Sequence, residues 1–144
     1  MAEVPDPTPA EARALIVGTG GFWVGWGLSV PFFTDQVPFS LIAFFVAFGC
    51  GSWLYFGGIF HVWARAEGKS VFGWYFAGLR QPPWRAWRSA YGWGWMRLVL
   101  PSYYRRAARV LGWNEVVVLV ILGSLLVADL VALVFLFSNA PAST

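Results

Sequence analysis

Three long stretches of this chain lack charge almost completely, and they decide what it can fold into. Ala14–Phe33 has no charged residue over 20 positions, Pro38–Ala64 none over 27, and Val116–Phe137 only Asp129 over 22. A helix crosses the hydrocarbon core of a bilayer with about 20 mainly apolar residues. The strands of a membrane barrel would be about half as long and would alternate in polarity, which these runs do not. Only 12% of the 144 residues are charged, against about 25% in soluble domains. The expected fold class is an all-α membrane protein of three transmembrane helices, at about 14–33, 38–64 and 116–137. An amphipathic, Arg/Trp-rich interfacial helical segment at about 65–115 joins the second and third. All of it forms a single membrane domain over 1–144.

The opening "MAEVPDPTPAEARALIVG" carries a helix start in place of the basic n-region of a secretory signal. Thr8 can cap, Pro9 fits the first helical position, and Glu11 completes a Thr-x-x-Glu capping box. The first hydrophobic helix is therefore expected to be retained. Cys50 has no partner for an internal disulfide. Nine of the ten basic residues fall between the second and third helices, Arg13 being the exception. Short basic loops stay in the cytoplasm, which sets the N-terminus cytoplasmic and the C-terminus periplasmic. Nine arginines against one lysine is associated with GC-rich bacterial genomes, so the expected location is a bacterial inner membrane.

The segment "RQPPWRAWRSAYGWGWMRLVLPSYYRRAARVLGWNE" concentrates arginine and tryptophan. Trp84, Trp87, Tyr91 and Trp95 share one helical face, with Arg85 and Arg88 on the other. A second helix is expected from Ser102 as N-cap to a stop at Gly112. In it Arg105, Arg106 and Arg109 form a basic stripe opposite Tyr103, Ala107, Val110 and Leu111. Aromatic rings favour the headgroup zone and arginines attract anionic lipid, so the segment is expected to lie flat on the cytoplasmic surface with bound phospholipid. The same residue types also suit protein docking. Nucleic-acid binding through Arg and Trp is not favoured, because the position beside the bilayer already explains both.

Each span carries a small-residue stripe that lets another helix come close: Gly21, Gly25 and Ser29 in the first, Ala43, Ala47 and Gly51 in the second, Ser124, Ala128 and Ala132 in the third. Asp129 is expensive at mid-membrane. It reads either as a proton or ion site or, preferred here because no other charge lies within the spans, as a neutral, hydrogen-bonded structural residue. His61 is the sole histidine. Imidazole can ligate haem iron or a chlorophyll magnesium, and Gly57 one turn earlier would clear room for a macrocycle. Over these few residues the Gly-x-x-x-His-x-Trp pattern (Gly57, His61, Trp63) resembles the pigment-binding helix of bacterial light-harvesting polypeptides, though not their single-span layout. The resemblance implies bacteriochlorophyll as a ligand. The bland alternative is an interfacial hydrogen-bonding anchor.

No metal-ligand spacing, phosphate-binding loop or nucleophile–base set occurs in the sequence, and the chain is expected not to be an enzyme. The expected role is a small accessory subunit of a larger bacterial inner-membrane complex, photosynthetic or respiratory, that aids complex assembly in electron transport. The alternatives are a pigment- or haem-binding subunit using His61, and a homo-oligomeric transporter or proton channel using Asp129.

Overall fold

The computed structural model describes residues 4–34, 38–82, 84–85, 97–98 and 100–138, with side chains described except at 29–34, 38–40, 43 and 136. Among the described residues the chain is helical and contains no strand. The elements are α1 (Pro9–Thr34), α2 (Pro38–Ala66), α3 (Val71–Leu79), α4 (Pro101–Val110) and α5 (Glu115–Ser138).

Local chemistry fixes the ends. At the start of α1, the Thr8 amide donates to Glu11 Oε2 at 2.8 Å and the Glu11 amide donates to Thr8 Oγ1 at 3.3 Å, a reciprocal capping box. At the end of α4, Gly112 takes φ +68, its amide donates to the Arg109 carbonyl at 3.0 Å, and Trp113 N–H reaches the Ala108 carbonyl at 2.9 Å. This Schellman arrangement satisfies carbonyls the helix would otherwise leave open. Gly68, at φ +65, closes α2 in the same way.

The central element is α1, which packs on α2, α4 and α5, while α3 leans on α2 and α4 on α5. Helices α1 and α2 run antiparallel in backbone contact. A Cβ added at Gly18 would lie 2.5 Å from the Tyr55 amide nitrogen, one at Gly25 2.5 Å from that of Phe48, and one at Gly51 would overlap the Phe22 amide nitrogen. Gly21 faces Gly51, with the added Cβ 3.2 Å from the Gly51 Cα. Glycine costs about 1 kcal/mol in a helix relative to alanine, and here the cost is offset by van der Waals contact between main chains.

At one end of this pair two clusters close the molecule. Leu15, Ile59, Val62, Trp63, Trp74, Leu98 and Tyr103 form one. Ala12, Ile16, Tyr104, Ala107, Ala108 and Val118 form the other. A nine-residue helix such as α3 is marginal alone. It persists because Ser70 caps it, accepting from the Gly73 amide, and because Trp74 is buried in the first cluster.

Among the described residues two helical stretches are long and apolar enough to cross a membrane, Phe44–Ala66 within α2 and Glu115–Phe135 within α5. The expected first span corresponds to α1, which carries glycine or tryptophan at seven of its 26 positions and is not one of these two stretches.

The region between α2 and α5 departs from expectation in three ways. Helix α3 is an addition. Helix α4 begins at Pro101 with Leu100 as its cap residue, so Ser102 is not the N-cap: proline's fixed φ and missing amide suit the first helical position. The apolar face of α4 docks on protein instead of lying free for lipid. Tyr103, Tyr104, Ala107 and Ala108 are buried, while Val110 points out.

Candidate functional site

The N-terminal tail and the basic segment are tied together at the clustered end. Arg65, in the last turn of α2, donates from Nε to Glu11 Oε1 at 3.2 Å and from Nη2 to Glu11 Oε2 at 2.8 Å. Its Nη2 also donates to the Asp6 carbonyl at 2.7 Å. Tyr103 Oη donates to the Pro5 carbonyl at 3.2 Å, and Arg106 approaches Asp6 Oδ1 at 3.7 Å. Burial alone would raise the Glu11 carboxyl, but the Arg65 hydrogen bond, with the Thr8 amide and the Arg65 charge, outweighs it and holds the group below its ordinary value. The Tyr103 hydroxyl is pushed up, first by burial and then by the Glu11 charge.

Farther along α1, three hydroxyls from three helices meet. Thr19 donates to the Leu15 carbonyl at 2.6 Å, and its Oγ1 lies 2.7 Å from Tyr104 Oη. Tyr104 is also hydrogen-bonded to Tyr55. Burial raises the Tyr104 hydroxyl despite these bonds. The trio borders a cavity of about 460 Å³ between α2 and α5, alongside α1, that Pro101 and Tyr104 of α4 also line. Phe22, Trp23 and Phe56 supply aromatic wall, Leu119, Leu122 and Leu126 aliphatic wall, and Gly123 a gap in α5.

The residues singled out from sequence are dispersed over the fold. His61 is exposed on α2, on the same helical row as Trp53, which is 82% exposed, and Gly57, where an added Cβ would meet nothing within 4 Å. Arg105, Arg106 and Arg109 point outward from α4, Arg109 bound to Glu115 Oε1 at 2.9 Å. Trp84 and Arg85 are exposed, whereas Trp87, Arg88, Tyr91 and Trp95 lie outside the described residues. Gly21, Gly25, Ala47 and Gly51 sit along the α1–α2 contact. The side chains of Ser29 and Ala43 lie outside the described set.

On α5 only Ala132 of the small-residue stripe lies on the packing face. Ser124 and Ala128 are exposed, and the inward row is Val118, Leu122, Leu125, Asp129 and Ala132. These recur at alternating steps of four and three, one face of a helix. The cause lies on α1: an added Cβ at Gly27 would sit 2.8 Å from Asp129 Oδ1 and one at Gly20 3.9 Å from Leu122. Asp129 is thus 6% exposed, and its Oδ2 has no hydrogen-bond partner among the described residues.

No protein-family model, curated protein or solved structure matches this chain. No group of three or more His, Cys, Asp or Glu residues is placed to hold a metal ion among the described residues. Sequence reasoning missed Thr19, Tyr55 and Tyr104, which come from three helices with no shared spacing. It also took Arg65 as one loop cation among nine. The Thr8/Glu11 capping box was the available clue, because a Glu fixed at the helix start is a ready partner for a cation at the end of an antiparallel neighbour.

Proposed function

We propose that the chain is a small non-catalytic subunit of a larger bacterial inner-membrane complex, spanning the membrane three times. One observation carries this reading: the long faces of α2 and α5 are apolar and outward-facing, while ionic contacts are gathered at the clustered end. Phe45, Val46 and Trp53 on α2 and Val127, Val131, Val134 and Phe135 on α5 are exposed. Soluble monomers rarely carry contiguous apolar patches beyond a few hundred Å², so lipid or protein must cover these faces. Helix α1 lies antiparallel against α2 from Gly18–Tyr55 to Gly25–Phe48 and shares its depth, which supports the third span. The basic segment then lies on the cytoplasmic side by the positive-inside rule, with the N-terminus beside it. Energy-converting complexes, photosynthetic or respiratory, are the proposed hosts, with anionic phospholipid around Arg105, Arg106 and Arg109.

Native separation of gently solubilised membranes, with mass spectrometry of the co-migrating chains, tests the assignment. Stoichiometric migration with a respiratory or photosynthetic complex is expected. Migration alone, or as a small self-oligomer, would overturn it and favour the transporter alternative centred on Asp129.

A second reading has its own support. His61 is exposed and Gly57 leaves open space one turn away, which fits a macrocycle such as bacteriochlorophyll or haem lying on that face. Loss of a visible or near-infrared band in His61→Ala would establish it, and an unchanged spectrum would remove it.

A further inference from the structure

We infer that the cavity between α1, α2 and α5 is a binding site for an uncharged lipid alcohol, a hydroxyl head on a hydrocarbon body. The inference rests on the membrane-embedded reading above but needs no host complex.

Counting protons gives the head-group chemistry. Thr19 has one hydroxyl proton and donates it to the Leu15 carbonyl. Tyr104, 2.7 Å from Thr19 Oγ1, must therefore be the donor of that pair. With its own proton committed, Tyr104 can only accept from Tyr55. The chain Tyr55 to Tyr104 to Thr19 to Leu15 carbonyl thus turns every donor inward and leaves oxygen lone pairs toward the cavity, ending at Tyr55. Acceptors alone call for a donor, and a hydroxyl is the uncharged donor that membrane lipids offer. Among the described residues no cationic side chain lines the cavity, so a phosphate or carboxylate head would be desolvated without a partner there.

Size and wall supply the rest. A volume of about 460 Å³ lies in the range of small-molecule sites, about 300–1,000 Å³, and the remaining wall is hydrocarbon or aromatic. Gly123 is the independent sign that the space is kept open. A Cβ there would meet nothing within 4 Å, so no helix contact requires glycine, and glycine weakens α5 by about 1 kcal/mol relative to alanine. What its missing side chain provides is room in the cavity.

The test uses the full chain in detergent micelles. Brominated dioleoylglycerol and brominated dioleoyl phosphatidylglycerol share tails and differ in head group, and bromine quenches nearby tryptophan. Trp23 lines the cavity, and its emission is isolated by difference against Trp23→Phe. Saturable quenching by the diacylglycerol is expected, with half-saturation about tenfold higher in Tyr55→Phe, the size of one hydrogen bond. Gly123→Phe, which fills the space, should abolish saturation, and Leu126→Trp provides a second occlusion should that variant unfold. Displacement by a prenyl quinol would assign the head to an aromatic diol, and failure to displace would assign it to an aliphatic alcohol; both support the site. Equal quenching by the two lipids, or quenching unchanged by occlusion, would overturn it. That failure in a chain that still fractionates with membranes leaves the membrane assignment standing.

Discussion

Helix α1 has two working faces, and they are built on opposite rules. Toward α2 it presents Gly18, Gly21 and Gly25, and main chain meets main chain. Toward α5 the contact runs through side chains, Leu122 over Gly20 and Asp129 over Gly27, and beside it a cavity of about 460 Å³ persists. The first face uses glycine to eliminate space; the second combines glycine and bulky residues so that space remains. In a bilayer, hydrophobic burial gives little drive for helix association, so close packing is the main source of cohesion. The α1–α2 pair is therefore expected to be the stable unit, and α5 the element whose attachment can be tuned.

The largest effect should come from breaking the close face. Gly25→Leu and Gly51→Leu each force a side chain into backbone atoms of the opposite helix, the first within 2.5 Å of the Phe48 amide nitrogen. Backbone cannot yield as a flexible side chain can, so the loss should be about 3 kcal/mol or more. Unfolding by a denaturing detergent, followed by helical circular dichroism, measures it. A loss under about 1 kcal/mol would mean that the two helices do not meet as closely as described.

The hydroxyl trio comes next, since it links α1 and α2 to α4. Tyr104→Phe removes the acceptor for Tyr55 and the donor to Thr19 while retaining the ring, and should cost about 1–2 kcal/mol. The same detergent titration reads it, and α5 should detach before the α1–α2 pair unfolds. Simultaneous loss of both would mean that the two faces are a single cooperative unit.

How far these faces were legible depends on how local their cause is. The charge-free runs mark the long helices: Val116–Phe137 lies within α5, Glu115–Ser138, because hydropathy is a property of consecutive residues. Gly21 and Gly51 could be read from four-residue spacing, but Gly18 and Gly58, which also face the opposite helix, broke that spacing and went unseen. The stripe on α5 misled because several rows of a nearly uniform apolar helix look equally suitable, and Gly20 and Gly27 on a distant element chose among them. Helix α3 was invisible for a related reason. "VFGWYFAGL" is apolar all round and carries no 3.6-residue alternation to read. The hydroxyl trio depends on Thr19 and Tyr104, 85 positions apart, and no spacing rule reaches that far.

The clamp at the clustered end should contribute less than the trio. Glu11 has its carboxyl held below the ordinary value, so its contribution is fully present above about pH 4.5 and is lost as pH falls through the lowered value. The Arg65 side chain is 40% exposed, and solvent screening limits Glu11→Gln to about 1 kcal/mol. Stability measured from pH 6 down to pH 3 should fall in the parent chain and fall less steeply in Glu11→Gln. Equal slopes would assign the acid sensitivity to other carboxylates. Asp129→Asn keeps shape and removes the ionisable group beside Gly27, and should shift stability by less than about 1 kcal/mol. A larger shift would give Asp129 a partner that the described residues do not show.

The smallest effect separates the two rules most sharply, because it contrasts glycines two residues apart on one helix. An added Cβ at Gly51 would lie 2.5 Å from the Gly21 carbonyl carbon, whereas one at Gly49 meets nothing within 4 Å. Gly49→Ala should therefore stabilise α2 by about 0.5–1 kcal/mol through reduced backbone freedom in the unfolded chain, while Gly51→Ala should destabilise it. Opposite signs, read in the same titration, would show that the seam is set by backbone approach and not by glycine content. If both alanines stabilised the helix, α1 would have no close face, and the cavity side would have nothing to be compared with.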